Sequence, residues 1–289
     1  MAFQVEVAAP GADRLGECPL WDEREQMLWW VDSRWPAVKR LDPASGAVMM
    51  LVLPEVVGSI ALRGKSGLIA ATKSGIHFLD EASGALAAKA NPETQLPENR
   101  FNDGRCDRAG RFWAGTMCDV RRDPVGSLYR FDADLKCTKL RNAIIIPNSL
   151  AFSPDGRCMY FADTDRHTIW AYDYDLANGA ATNERVFADT GSGRPDGSCV
   201  DASGCLWNAE YGACRLVRYT PQGKVDRIIE LPVANPTCCC FGGGDLGTLY
   251  VTTATQRLTP EDLAAQPLAG SLLALRPGVQ GLVEARFAG

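Results

Sequence analysis

Four side chains that can offer an oxygen stand at one offset ahead of an aromatic residue. Glu17 precedes Trp29, Asn102 precedes Trp113, Asn148 precedes Tyr160 and Asp196 precedes Trp207, always by eleven or twelve positions. A spacing repeated this often points to a repeated structural unit in which each copy delivers one polar group to the same place. Two carboxylates gathered with two amides in a partly desolvated space either raise a pKa or recruit a cation. With no histidine and no evident thiolate among them, the donors form a hard-oxygen set. Calcium, magnesium or manganese suit such a set, and zinc or iron(II) can enter where geometry and availability permit. Taken singly, Asn148 and Asp196 each sit beside a proline and also read as turn residues. The fourfold coincidence favours one divalent metal ion.

Elements able to position such a set can be read from the same spacing. The chain repeats a phrase of four short apolar or aromatic runs separated by Gly, Asp and Asn turns, starting at Gly16, near Gly58, and at Arg100, Pro147, Arg194 and Asn235. The starts are roughly 41 to 48 residues apart, the period of a four-stranded propeller blade. The expected fold is therefore all-β, a six-bladed β-propeller of four-stranded antiparallel blades, with residues 1–289 as one domain. The run Phe3-Gln4-Val5-Glu6-Val7 is expected to complete the last blade. Thr259-Pro260-Glu261-Asp262, with its cap residue, first-turn proline and early acids, predicts one short helix inside the sixth unit. Aligning the units on their second strands puts Glu17, Gly58, Asn102, Asn148, Asp196 and Cys238 at one level around a central channel.

Composition narrows the function. Over 289 residues, 46% are hydrophobic and the formal charge is −5, a balance that argues against a nucleic-acid binder, which needs a basic face. No run approaches a membrane span, and the N-terminus lacks the pattern of an export leader. Eleven cysteines, an odd number that includes Cys238-Cys239-Cys240 and no CxxC pair, suit reduced thiols in the cytoplasm. A Ser-His-Asp hydrolase finds no GxSxG elbow, and the two histidines, His77 and His167, fall away from the channel mouth as ordinary surface or edge residues.

Several segments resemble landmarks of the family that holds regucalcin (senescence marker protein), gluconolactonases and luciferin-regenerating enzyme. They are Leu15-Gly16-Glu17-Cys18-Pro19, Asn99-Arg100-Phe101-Asn102-Asp103-Gly104, Gly115-Thr116-Met117, Pro147-Asn148-Ser149 through Gly156, and Arg194-Pro195-Asp196-Gly197. The resemblance covers essentially the whole chain. It implies a six-bladed propeller that hydrolyses sugar lactones with one divalent metal held by Glu17, Asn148 and Asp196, and it carries substrate contacts onto Arg100 and Asn102. The acid that some relatives use for sugar hydroxyls falls on Val120, with Asp119 adjacent, so Asp119 is the expected substrate contact and the identity of the sugar is open.

The resulting expectation is hydrolysis of an aldonolactone, such as glucono-, galactono-, arabinono- or xylonolactone, by a metal-activated water with Asp196 as general base. The expected partner is that small molecule, with at most weak self-association of the protein. Two rivals use the same residues: a non-enzymatic calcium-binding propeller, and another metal-dependent esterase or phosphoesterase on this fold. Asp103 reads equally as a catalytic group or as a brace for its loop. Cys238 reads as a packed thiol or a soft ligand.

Overall fold

A computed structural model describes residues 3–289. The strands form six four-stranded antiparallel sheets, each in simple sequential order except the last. The innermost strands are Gly16–Asp22, Val57–Leu62, Asn99–Cys106, Pro147–Phe152, Arg194–Val200 and Pro236–Gly242. Each touches the next around the ring, and the last touches the first, so the blades close on a common axis. The six-bladed propeller expected from the repeat is the fold observed.

The aromatic residues that set the repeat hold neighbouring blades together. Trp29, Trp113 and Trp207 are fully buried, and each packs into a cluster with the inner strand of the following blade. Trp29 lies with Ile60 and Leu62, Trp113 with Leu150 and Phe152, and Trp207 with Cys239 and Phe241. A large aromatic on the second strand thus serves as the wedge between two sheets, and burial of each such side chain contributes roughly 1.5–3 kcal/mol.

Chain closure follows the expectation from the N-terminal run. Val5–Ala9 pairs antiparallel with Leu272–Leu275, with Val5 opposite Leu275 and Val7 opposite Leu273, and supplies the outermost strand of the sixth blade. The short helix also forms, at Pro260–Ala265. Thr259 Oγ1 accepts from the Asp262 backbone N–H, and Asp262 Oδ2 accepts from that of Thr259, a reciprocal cap that satisfies two otherwise orphaned donors.

Regular pairing fails once in every inner strand, always near its first half. The shifts fall between Glu17 and Leu20, Val57 and Ser59, Phe101 and Gly104, Asn148 and Ala151, Pro195 and Ser198, and Pro236 and Cys238. In each case the inner strand carries one residue more than its partner, a bulge that re-aims side chains. The single level expected for the six aligned residues is therefore staggered. Glu17 and Asn148 are the last paired residues before the bulge, Asn102 and Asp196 lie within it, and Cys238 follows it. Counting back from the second strand cannot register an extra residue on the first.

The C-terminal tail closes the opposite end of the channel. Gln280 accepts from the Ala202 backbone N–H, Phe287 bonds to Leu62 and Gly64, and Ala288 donates to Gly110, all at or beyond the far ends of inner strands. Arg105 fills the axis above the tail, donating to the carbonyls of Leu150 and Ser198 and pairing with Glu284 at 2.6 Å.

Candidate active site

Glu17, Arg100, Asn102, Asn148 and Asp196 line one funnel at the starting ends of the inner strands, open to solvent. These five residues, drawn from four blades, are brought together. Asp119 stands behind them. Its Oδ1 accepts from Arg100 Nε and from Arg34 Nη1, both at 2.7 Å.

Two devices aim Glu17 and Asn148, and they are the same in both blades. The backbone enters the left-handed region at the next residue, with φ of 49° at Cys18 and 62° at Ser149; such strain in a non-glycine residue costs of order 1–3 kcal/mol and collects at functional sites. In addition, an aspartate ending the second strand grips the approach to the inner strand. Asp32 accepts from the N–H groups of Arg14 and Leu15, and Asp163 from those of Ile145 and Ile146. Asp32 and Asp163 were visible in the sequence only as strand ends, and the signal was that both second strands finish on the same acid.

A polarised hydrogen-bond chain runs across the funnel. Arg100 Nη1 donates to Asn102 Oδ1 at 2.8 Å, Asn102 Nδ2 donates to Asn148 Oδ1 at 2.9 Å and to the Pro147 carbonyl, and Asn148 Nδ2 donates to Thr164 Oγ1 at 2.7 Å. Thr164 passes its proton to the Pro195 carbonyl, the residue before Asp196. Because a guanidinium can only donate, Arg100 fixes the orientation of every amide after it, and Asn148 must present its oxygen. Asn208, wholly buried, secures the other side by donating from Nδ2 to the Asp196 carbonyl at 3.0 Å. Neither Thr164 nor Asn208 carried a sequence signal beyond its residue type.

Glu17 and Asp196 are both buried carboxylates, 9% and 5% exposed, and neither has an ion-pair partner or a side-chain hydrogen bond among the described residues. Desolvation pushes Glu17 well above the usual carboxylate range, and the charges of Asp196 and Asp103 push it further. Asp196 is raised likewise, by burial first and then by Asp103. Among the described residues no three His, Cys, Asp or Glu side chains gather as a metal cluster, so a cation held here needs the Asn148 oxygen beside the two acids. Two buried, unpaired anions next to an oriented amide oxygen fit a hard divalent ion.

Other candidates are placed as follows. Both oxygens of Asp103 are engaged, Oδ1 by the Gly104 N–H and Oδ2 by that of Leu150, so it braces its own bulge against the next blade. The Cys238 thiol is buried and pushed well up by that burial. Its sulfur lies where any Cβ on Gly197 would have to go, 2.2 Å away. His77 is not a surface residue: it is 6% exposed, with Nδ1 3.1 Å from Thr72 Oγ1 and Nε2 3.8 Å from Glu55, because the third strand of its blade turns it inward between two polar partners. His167 is half-buried and lies 2.7 Å from the Gly193 carbonyl. Among the described residues no helix is long and apolar enough to cross a membrane.

Known proteins share the sequence pattern and the fold of this chain. Residues 15–255 match the model of the SMP-30/Gluconolactonase/LRE-like region. The chain is 42% identical over 278 residues to the 6-deoxy-6-sulfogluconolactonase of Pseudomonas putida, covering 95% of each chain. It is 36% identical over 296 residues to the regucalcin of Gallus gallus, covering 99% of each. Its fold superposes with a TM-score of 0.95 on the crystal structure of a regucalcin of Agrobacterium tumefaciens, described as a calcium-binding protein, at 33% identity over 100% of this chain and 99% of that one. The chain belongs to the SMP-30/gluconolactonase/LRE-like family.

Proposed function

We propose that this protein is a divalent-metal-dependent lactonase that opens a sugar lactone to its aldonic acid. The observation that supports it most is the pair of buried, unpaired carboxylates, Glu17 and Asp196, set beside an Arg–Asn–Asn chain whose polarity is fixed. Glu17, Asp196 and the Asn148 oxygen would hold the ion. A bound divalent ion supplies Lewis-acid polarisation of an ester carbonyl and acidifies water.

The chain's own groups account for the remaining chemistry. A carboxylate oxygen of Asp196 takes a proton from the water that attacks the carbonyl carbon. The ring C–O bond then breaks, and the proton passes to the departing ring oxygen. Arg100 spends Nε on Asp119 and Nη1 on Phe101 and Asn102, which leaves Nη2 to meet the ring oxygen or a hydroxyl as charge develops there. Asn102 Oδ1 keeps a lone pair for a substrate hydroxyl. Asp119 uses only Oδ1 on its two arginines, so its Oδ2 is the acceptor we assign to a sugar hydroxyl. Free thiols throughout suit a reducing compartment, and we place the enzyme in the cytoplasm.

The test is acid release from glucono-, galactono-, arabinono- and xylonolactone with each of calcium, magnesium, manganese, zinc and iron(II), corrected for spontaneous hydrolysis. Activity with at least one pair, abolished by chelation and by Asp196→Ala or Glu17→Gln, is expected. Full turnover after exhaustive chelation overturns the metal dependence. Metal binding without turnover of any lactone favours the calcium-binding scaffold.

A further inference from the structure

The rim of the funnel carries far more positive charge than opening a neutral sugar lactone requires. Arg34, Arg100, Arg122, Arg194 and Arg257 all line it. Among the described residues only two carboxylates pair with these guanidinium groups. Asp119 Oδ1 is shared by Arg34 and Arg100, and Asp165 is shared by Arg194, at 2.5 Å, and Arg122, at 3.6 Å. Arg257 has no carboxylate within 4 Å among the described residues, and the buried Nε of Arg34 has no hydrogen-bond partner. Burial and the charges of Arg257, Arg194 and Arg34 hold the Arg122 guanidinium below its usual value, with Asp165 only partly offsetting them.

The excess is built in rather than scattered. Arg257 follows Gln256, whose carbonyl accepts from both Tyr211 OH and Asn235 Nδ2 and whose N–H donates to the Arg14 carbonyl. Arg257 itself is held at a φ of 66°. Arg194 lies over the Tyr211 ring, 5.8 Å from its centroid, so one tyrosine steadies both arginine-bearing segments. Like charges gathered around two shared carboxylates still repel, and the repulsion is relieved by an anion that enters with the ligand. Guanidinium groups match tetrahedral oxyanions through paired N–H donors.

We propose that the natural substrate carries a tetrahedral oxyanion, a sulfonate or a phosphate ester, on the end of the sugar remote from the lactone carbonyl, and that Arg122, Arg194 and Arg257 bind it. This rests on the lactonase reading of the same funnel. The carbonyl end lies toward Glu17 and Asp196, and the anionic end stays among the arginines.

Initial rates on gluconolactone, 6-phosphogluconolactone and 6-deoxy-6-sulfogluconolactone, measured with the metal-loaded full chain and corrected for spontaneous hydrolysis, test it. At least one anionic lactone is expected to exceed gluconolactone in kcat/KM by about tenfold or more, and the better of the two identifies the anion. Raising the salt to about 0.5 M should shrink that ratio, since exposed charges are then screened. Arg122→Gln with Arg257→Gln should collapse it, mainly through the KM of the anionic lactone, and the Lys versions should restore part of it. A circular-dichroism melt of each variant checks that it is folded. Gluconolactone turned over as efficiently as both anionic probes, or a ratio unmoved in the folded double variant, overturns the inference and leaves the lactonase reading standing. No turnover of any of the three, nor of the other aldonolactones, removes both.

Discussion

Asn102 donates from Nδ2 to Oδ1 of Asn148 across 2.9 Å, joining the third blade to the fourth. That bond has a fixed direction because Arg100, a pure donor, occupies the oxygen of Asn102, and the Pro147 carbonyl, a pure acceptor, takes from its nitrogen. Asn102→Asp removes the donor and sets an anion against the Asn148 oxygen. The expected result is a loss of about 10–100-fold in metal affinity, the scale typical of groups that orient a ligand, with a parallel fall in lactonase kcat/KM. Metal titration by calorimetry reads the first directly, and an unchanged affinity contradicts the role given to Asn102.

Asp119 holds Arg100 and Arg34 with one oxygen. Burial raises its carboxyl, but the two guanidinium groups outweigh burial and hold it below the usual carboxylate value. A depressed folded value means that the stabilisation is present above the unfolded pKa, about 4, and is lost as pH falls through the folded one. Asp119→Asn is expected to melt below the parent at pH 7, with the gap narrowing as the pH drops beneath about 4. Its kcat/KM for lactone should fall about tenfold. A gap that widens in acid refutes the sign.

Glu17 and Asp196 behave oppositely. Both folded values are raised, so metal-free protein draws stability from their protons at low pH and loses it as pH rises through those raised values. Stabilisation by added metal should therefore grow with pH, and binding should release protons, seen as a buffer-dependent heat. In Asp196→Asn the pH slope of the metal-free melt should flatten relative to the parent. Equal slopes in the two proteins reject this account.

Gly58 occupies the one position of the ring where the neighbouring bulge passes too close for a side chain. A Cβ there would lie 2.5 Å from the carbonyl oxygens of both Phe101 and Asn102. Gly58→Ala is expected to cost about 1–3 kcal/mol and to lower activity with it, because the backbone that must yield carries Asn102. A melt unchanged within error rules this out.

The buried pair Arg105–Glu284 offers a stability test away from the funnel. Removing the acid with Glu284→Ala leaves an uncompensated guanidinium on the axis, a loss of about 3–5 kcal/mol. Denaturant unfolding measures it, and a loss below about 1 kcal/mol means that water or the backbone satisfies Arg105.

The blades and the funnel were legible because each depends on residues that repeat. Trp29, Trp113 and Trp207 mark the second strands of three blades as wedges between sheets, and Glu17, Asn102, Asn148 and Asp196 stand eleven or twelve positions ahead of an aromatic residue of the second strand. The stagger among the four was not legible, because a bulge adds a residue without leaving a residue type to announce it. His77 was misplaced on the surface because its two polar partners, Thr72 and Glu55, are brought to it by tertiary packing alone. Most of the arginine rim escaped for a related reason: Arg34, Arg194 and Arg257 come from three blades and share no spacing, whereas Arg122 was legible as loop charge over the mouth. Arg105 and Glu284, which are 179 positions apart, meet only after the tail has wrapped beneath the disc.

That tail gives the chamber a single door. With the Arg105–Glu284 pair lying across the far end, whatever reaches Glu17 and Asp196 must retreat along the path by which it came. Traffic is then strictly alternating: the acid made from a lactone blocks the next molecule until it departs, and it leaves past a ring of arginines.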